Sequence, residues 1–159
     1  METGKKIGFM PIGKSISELK LGDSAEITRL ITEELVNDFA RVIGDFNPVH
    51  TDQAYAEKTM FKGKIAHGAL SIGFFSTVLG NILPGHGTIY LSHEVKFLAP
   101  VKIGDTITAK VEVLDLIPEK NRAKFGTTCL NQEGKMVVDG YAWVMPPTRL
   151  KDLPSGAGS

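Results

Sequence analysis

Asp45 and His50 stand five positions apart in the stretch Gly44-Asp45-Phe46-Asn47-Pro48-Val49-His50. A carboxylate beside an imidazole is a pair suited to moving protons near neutral pH, provided both are held in place. Pro48 fixes its own φ and restricts Asn47 to extended geometry, which stiffens the loop and blocks a helix there. The same residues also fit a plainer role, with Asp45 capping the next turn and His50 on the surface. A second element of chemistry is His67-Gly68, which lies at the start of an uncharged run. A helix N-terminus offers free N–H groups and positive potential, and N–H groups aimed at a carbonyl form an oxyanion hole. Glycine there admits a ligand close to the backbone, or equally permits tight helix–sheet packing. Ser76, eight residues after Gly68, is about two helical turns on. It is placed to orient Asp45 or a substrate, or to bond its own helix carbonyl.

The elements that must hold these residues are legible in outline. Ser24 to Leu30 alternates weakly and reads as a first strand. Thr32, followed by Glu33 and Glu34, is a helix start, and Gly44 is its stop. Leu35, Phe39 and Val42 or Ile43 share the apolar face of that helix. Asp52 to Thr59 forms a short helix, and Lys62-Gly63-Lys64 a turn. The uncharged run from about Ile65 to about Leu83 reads as one long central helix, apolar or small on every side and therefore surrounded. After the loop Asn81–Gly87 come strands. They are 88–97 with Ile89, Leu91, His93, Val95 and Phe97 on one face, Thr106 to Ile117, a third through Ala123, Phe125, Thr127 and Cys129, and Met136 to Met145. Asn131-Gln132-Glu133-Gly134 marks a hairpin. One buried helix followed by antiparallel strands implies an α+β fold, most economically a curved sheet wrapped around the helix.

The 159 residues suffice for one domain with a real core. We expect an N-terminal extension over 1–14, a single domain over 15–147 and a flexible tail over 148–159. Lys plus Arg number 18 and Asp plus Glu 18, so net charge is zero, which argues against a nucleic-acid binder. Cys129 is the one cysteine, which excludes an intrachain disulfide and reads as a small apolar core residue. No metal-ligand spacing of the His-Glu-x-x-His kind occurs. Without an apolar leader segment at the N-terminus the expected compartment is the cytoplasm. The uncharged run is long enough to span a bilayer, but His67, Asn81, its serines and its glycines argue for a core helix instead. His86 reads as a solvated loop residue and His93 as a satisfied core or interface histidine. Lys62, Lys64 and Lys96 flank the candidate site, as solvated surface or as cations for a phosphate-bearing ligand.

Together, the Gly44–His50 stretch, Tyr55-Ala56, Ile65-Ala66-His67-Gly68, Ser76 and Phe97-Leu98-Ala99-Pro100-Val101 resemble the MaoC-like (R)-specific enoyl-CoA hydratases, over roughly Ser15 to Val144. The resemblance implies a hot-dog fold, an antiparallel sheet wrapped around one central helix. It implies a homodimer, or a dimer of dimers, with acyl-CoA bound near the dimer interface. It implies that Asp45 and His50 are the catalytic pair, that the Gly68 N–H is an oxyanion donor, and that Asn47 and Ser76 serve substrate binding. No metal or other cofactor is needed, since CoA arrives as part of the substrate. Phe46, Leu70, Phe74 and Leu79 are the residues expected to line or floor an acyl pocket. A hot-dog thioesterase and a non-catalytic acyl-CoA-binding module are the competing functions.

Overall fold

The computed structural model describes residues 11–149 and Asp152. Of the two ends set apart above, 1–10, 150–151 and 153–159 lie outside the described residues. A single turn of 3-10 helix (Ile16–Glu18) leads into strand β1 (Ser24–Leu30). Helix α1 (Glu33–Ile43) starts where expected, with the Thr32 hydroxyl accepting the Leu35 N–H at 3.0 Å. It ends at Gly44 with φ 78°, a left-handed conformation that glycine adopts without a Cβ clash. Its buried stripe is Val36 and Ala40, with Leu35 and Phe39 alongside, whereas Val42 is exposed. The expected face is therefore rotated by about one residue.

Two short helices follow, α2 (Pro48–Thr51) and α3 (Gln53–Ala56). Asn47 is extended, as the following proline demands, but Pro48 begins a helix instead of blocking one. Proline tolerates the first helical position because that N–H would have no helical partner. The central helix α4 runs over Gly68–Asn81, shorter than the sequence suggested. Its expected first turn is extended: Ile65 bridges to Lys102, and the Ala66 N–H donates to the Val101 carbonyl at 2.7 Å. At about 1.5 Å per residue α4 is about 21 Å long. No helix among the described residues is long and apolar enough to cross a membrane.

Strands β2 (Ile89–Phe97), β3 (Thr106–Ile117), β4 (Arg122–Leu130) and β5 (Met136–Met145) complete one antiparallel sheet of order β1-β3-β4-β5-β2. Two of the three inner strands alternate as read: Ile107, Ala109, Val111 and Val113 on β3, and Ala123, Phe125, Thr127 and Cys129 on β4, are buried. In β2 the alternation fails. A bulge between Tyr90 and Ser92 leaves Leu91 exposed and shifts the inward set to Tyr90, His93 and Val95. α4 lies against the sheet with Leu70, Phe74, Phe75, Val78 and Leu79 in the core. This is the hot-dog arrangement of an α+β protein. The helix is not surrounded within one chain, however: Ala69, Gly73, Ser76 and Thr77 form an open strip of small residues.

Candidate active site

Two segments converge beside the N-terminus of α4. In the first, Asp45 Oδ1 accepts the Asn47 N–H at 3.0 Å, and Asn47 Oδ1 accepts the Val49 N–H at 3.3 Å. Asp45 thus caps the next turn, the plainer role foreseen for it, while keeping its second oxygen. Asn47 spends its side-chain oxygen as the N-cap of α2. That short helix turns His50 inward, and His50 Nδ1 lies 2.7 Å from the Ile65 carbonyl. A carbonyl only accepts, so Nδ1 carries the proton and Nε2 keeps its lone pair. Burial holds the His50 pKa below its ordinary value. The Ile65 carbonyl and Asp45 pull it upward, and His67 adds a further downward push.

The second segment is Ile65-Ala66-His67, whose extended end is the N-cap of α4. His67 makes no side-chain cap bond among the described residues. The Leu70 N–H donates to the His67 carbonyl at 3.1 Å, which leaves the N–H groups of Gly68 and Ala69 for another acceptor. His67 is instead turned toward the loop. It is 3% exposed, its Nε2 lies 3.0 Å from the Asp45 carbonyl oxygen and 3.9 Å from Asp45 Oδ2, and its ring stacks on His50 at 3.9 Å between centroids. Phe39 of α1 closes its other side, edge-on at 5.1 Å.

A cavity of about 610 Å³ opens from this point, within the range of small-molecule sites. His50, His67, Gly68 and Ser71 supply its polar groups, and Phe61, Ile65, Ile72, Phe97, Leu98, Val101 and Val138 its apolar walls. The Phe97 ring lies so close to Gly68 that a Cβ there would stand 2.7 Å from it. Asp45 lies outside this lining, with its side chain 46% exposed. One ligating atom from each of Asp45, His50 and His67 falls within 4.8 Å of the others. Two hydrogen bonds of about 2.8 Å meeting on one water oxygen span about 4.6 Å, so a single water fits between neighbouring groups. A metal ion fits poorly. His50 Nδ1 and His67 Nε2 are engaged with carbonyls, and two rings stacked at 27° keep their remaining lone pairs in nearly parallel planes.

Of the residues singled out by sequence, Asp45, Asn47, His50 and Gly68 come together. Ser76 does not: two turns plus about 80° separate it from Gly68, and it is exposed outside the cavity. Ser71, one turn after Gly68, takes the inward position and is hydrogen-bonded to Cys129, whose thiol burial pushes up to about 12. The residues expected to line the acyl pocket are placed elsewhere, with Leu70, Phe74 and Leu79 in the core and Phe46 exposed. Among the lysines, Lys64 is buried and paired with Glu33, and Lys96 lies in a cleft with Glu94, Lys124 and Asp139. Lys62 joins Lys102 in a cleft of about 260 Å³ that shares Phe61 with the main cavity. The His67 side chain was given no role of its own, and Ser71 and Lys102 were not read as site residues. Adjacency to Gly68 signals the first, but the others depend on helix phase and strand pairing.

His93 is satisfied, as expected: Tyr90 bonds its Nδ1, and its Nε2 lies 2.7 Å from the Thr127 hydroxyl.

A family profile described as MaoC like domain matches residues 18–134. An (R)-specific enoyl-CoA hydratase of Rhodospirillum rubrum is 49% identical over 132 residues, 83% of this chain and 91% of that protein. Another of the same name, from Aeromonas caviae, is 40% identical over 133 residues, 84% of this chain and 99% of that one. The solved structure of an unliganded R-hydratase from Pseudomonas aeruginosa superposes with a TM-score of 0.81 at 44% identity, covering 92% of this chain and 97% of that one.

Proposed function

The chain belongs to the MaoC-like domain family, and from that membership and the site's geometry we propose that it is an (R)-specific enoyl-CoA hydratase. The observation that carries this reading is His50, pinned through Nδ1 so that a basic Nε2 remains on an imidazole lining an apolar cavity that ends at Gly68. Hydration of a trans-2-enoyl thioester places the water oxygen on C3 and a proton on C2. Asp45 and His50 hold the water and share the proton transfers. We do not divide acid and base between them, because a coupled pair titrates as one. Negative charge growing on the thioester oxygen is met by the Gly68 N–H and the positive end of α4. No electrons change hands, and the reaction as written uses no metal or redox cofactor. Extensive dialysis against a chelator leaves the rate unchanged on this reading.

The cleft with Lys62 and Lys102 suits the phosphate-bearing end of CoA. A homodimer is part of the proposal. The outer edge of β2 has no strand partner among the described residues, and Ile89, Leu91, Phe97 and Leu98 are exposed along it. The open strip of α4, Ser76 included, is a further surface for a second copy to cover. The expected compartment remains the cytoplasm. The test is purified protein with crotonyl-CoA, following loss of the conjugated enoyl absorbance and the configuration of the product. Release of free CoA thiol with the double bond intact would point to a thioesterase instead.

A further inference from the structure

We propose that His67 is the positioning residue of this site: its imidazole ties the Asp45 segment to the start of α4 and holds the His50 ring in place by stacking. The inference rests on the hydratase reading for what is positioned, but the geometry stands by itself. His67 Nε2 lies 3.0 Å from the Asp45 carbonyl, which can only accept, so this nitrogen carries the ring proton. The next residue is Gly68, the oxyanion donor, so one side chain connects that donor to the carboxylate's own backbone. The His50 ring lies 3.9 Å from the His67 ring at 27°. His50 is thereby held at two places, by the Ile65 carbonyl at Nδ1 and by the His67 ring on one face.

A purely space-filling role does not account for an imidazole here. The residue is 3% exposed and its Nδ1 has no hydrogen-bond partner among the described residues. A phenylalanine would pack against Phe39 and His50 with no nitrogen left unsatisfied. What only the imidazole brings is the Nε2–H donor together with a flat ring. It also acts on His50 electrostatically, as does Asp45. The rest of the cavity lining carries no charged side chain.

Two variants separate the parts. His67→Phe keeps the ring and loses the donor. His67→Gln keeps a donor near the Nε2 position and loses the ring. Each is expected to lower kcat with crotonyl-CoA by about 10–100-fold, the scale of a misplaced reacting group, with KM within about threefold of wild type. A loss of kcat that follows only the fraction of folded protein would overturn the proposal, as would two folded variants with wild-type kinetics.

Should neither variant fold, the ¹⁵N imidazole spectrum of the wild-type protein decides. It must show the Nε2–H tautomer at His67 and the Nδ1–H tautomer at His50, and the opposite His67 tautomer overturns the tie. A wild-type protein with these tautomers that fails to hydrate crotonyl-CoA would refute the hydratase reading and leave the His67 arrangement standing.

Discussion

On the proposed mechanism Asp45→Asn and His50→Gln each remove one partner from the water to be activated, so each should lower hydration by at least about 10²-fold. The double variant should be little worse than the worse single one, because groups acting on one water fail together. Steady-state rates, with circular dichroism to confirm folding, check both statements. Normal rates in folded single variants would remove the assignment. Histidine burial also gives the fold a pH dependence. Both His50 and His93 have pKa values lowered chiefly by desolvation, so the native state favours their neutral forms. The unfolded chain takes up these protons near the ordinary value of about 6.5. The stabilisation is therefore complete above that pH and is lost as pH falls toward the lowered native values. Thermal melts from pH 8 to pH 5 should show Tm falling below neutrality, and His93→Gln should flatten the slope. The motif made Asp45, His50 and Gly68 legible because each is fixed by its neighbours in sequence: a helix stop, a proline and a helix start. Ser76 was misplaced within the chain because eight residues do not complete whole turns, and Ser71 occupies the phase that Gly68 requires.

The start of α4 is the element on which the proposed chemistry depends, and its packing is close. A methyl group on Gly68 would stand 2.7 Å from the Phe97 ring. Phe97 is half exposed and can swing away, so Gly68→Ala should fold. The displaced ring and the added methyl crowd the oxyanion position, and kcat should fall about tenfold, less than the 10²–10³ seen when a donor is deleted. Gly140 is a harder constraint. A Cβ there would meet the Glu94 carbonyl oxygen at 2.1 Å, across the β5–β2 pairing. Backbone cannot swing aside as a ring can, so Gly140→Ala should cost about 3 kcal/mol, measurable by urea unfolding. β3 and β4 were partly legible, since alternation runs unbroken from Thr106 to Val113 and from Arg122 to Leu130. The bulge in β2 was not, because an extra residue leaves composition unchanged and only shifts which side chains face inward. The start of α4 was misread for a similar reason. Ile65 and Ala66 are as apolar as the helix that follows, and only their pairing with Val101 and Lys102 makes them extended.

At the scale of the whole molecule two surfaces stand uncovered among the described residues, the outer edge of β2 and the small-residue strip of α4. An unpaired strand edge bearing large apolar side chains invites another strand. Sedimentation at micromolar concentration should give the mass of at least a dimer. Leu91→Glu together with Ile89→Lys should shift the protein toward monomer and reduce activity in parallel. A fully active monomer would dismiss the assembly. Oligomeric state is not legible in a single sequence, because an exposed Leu91 and a buried one are spelled alike. The far end of α4 carries a different consequence. There the Gly13 N–H donates to the His86 carbonyl at 2.9 Å, and the Lys14 N–H to that of Pro84 at 2.8 Å. Arg149 reaches the Gly13 carbonyl at 3.1 Å and pairs with Glu18. The incoming and outgoing chain therefore run side by side past the helix terminus, about 20 Å from Gly68 by the helical rise. A tether, a reporter or a solid support joined at Gly13, Lys14 or Arg149 meets the fold at this end of the helix and not at the proposed site, so immobilisation there should leave turnover intact.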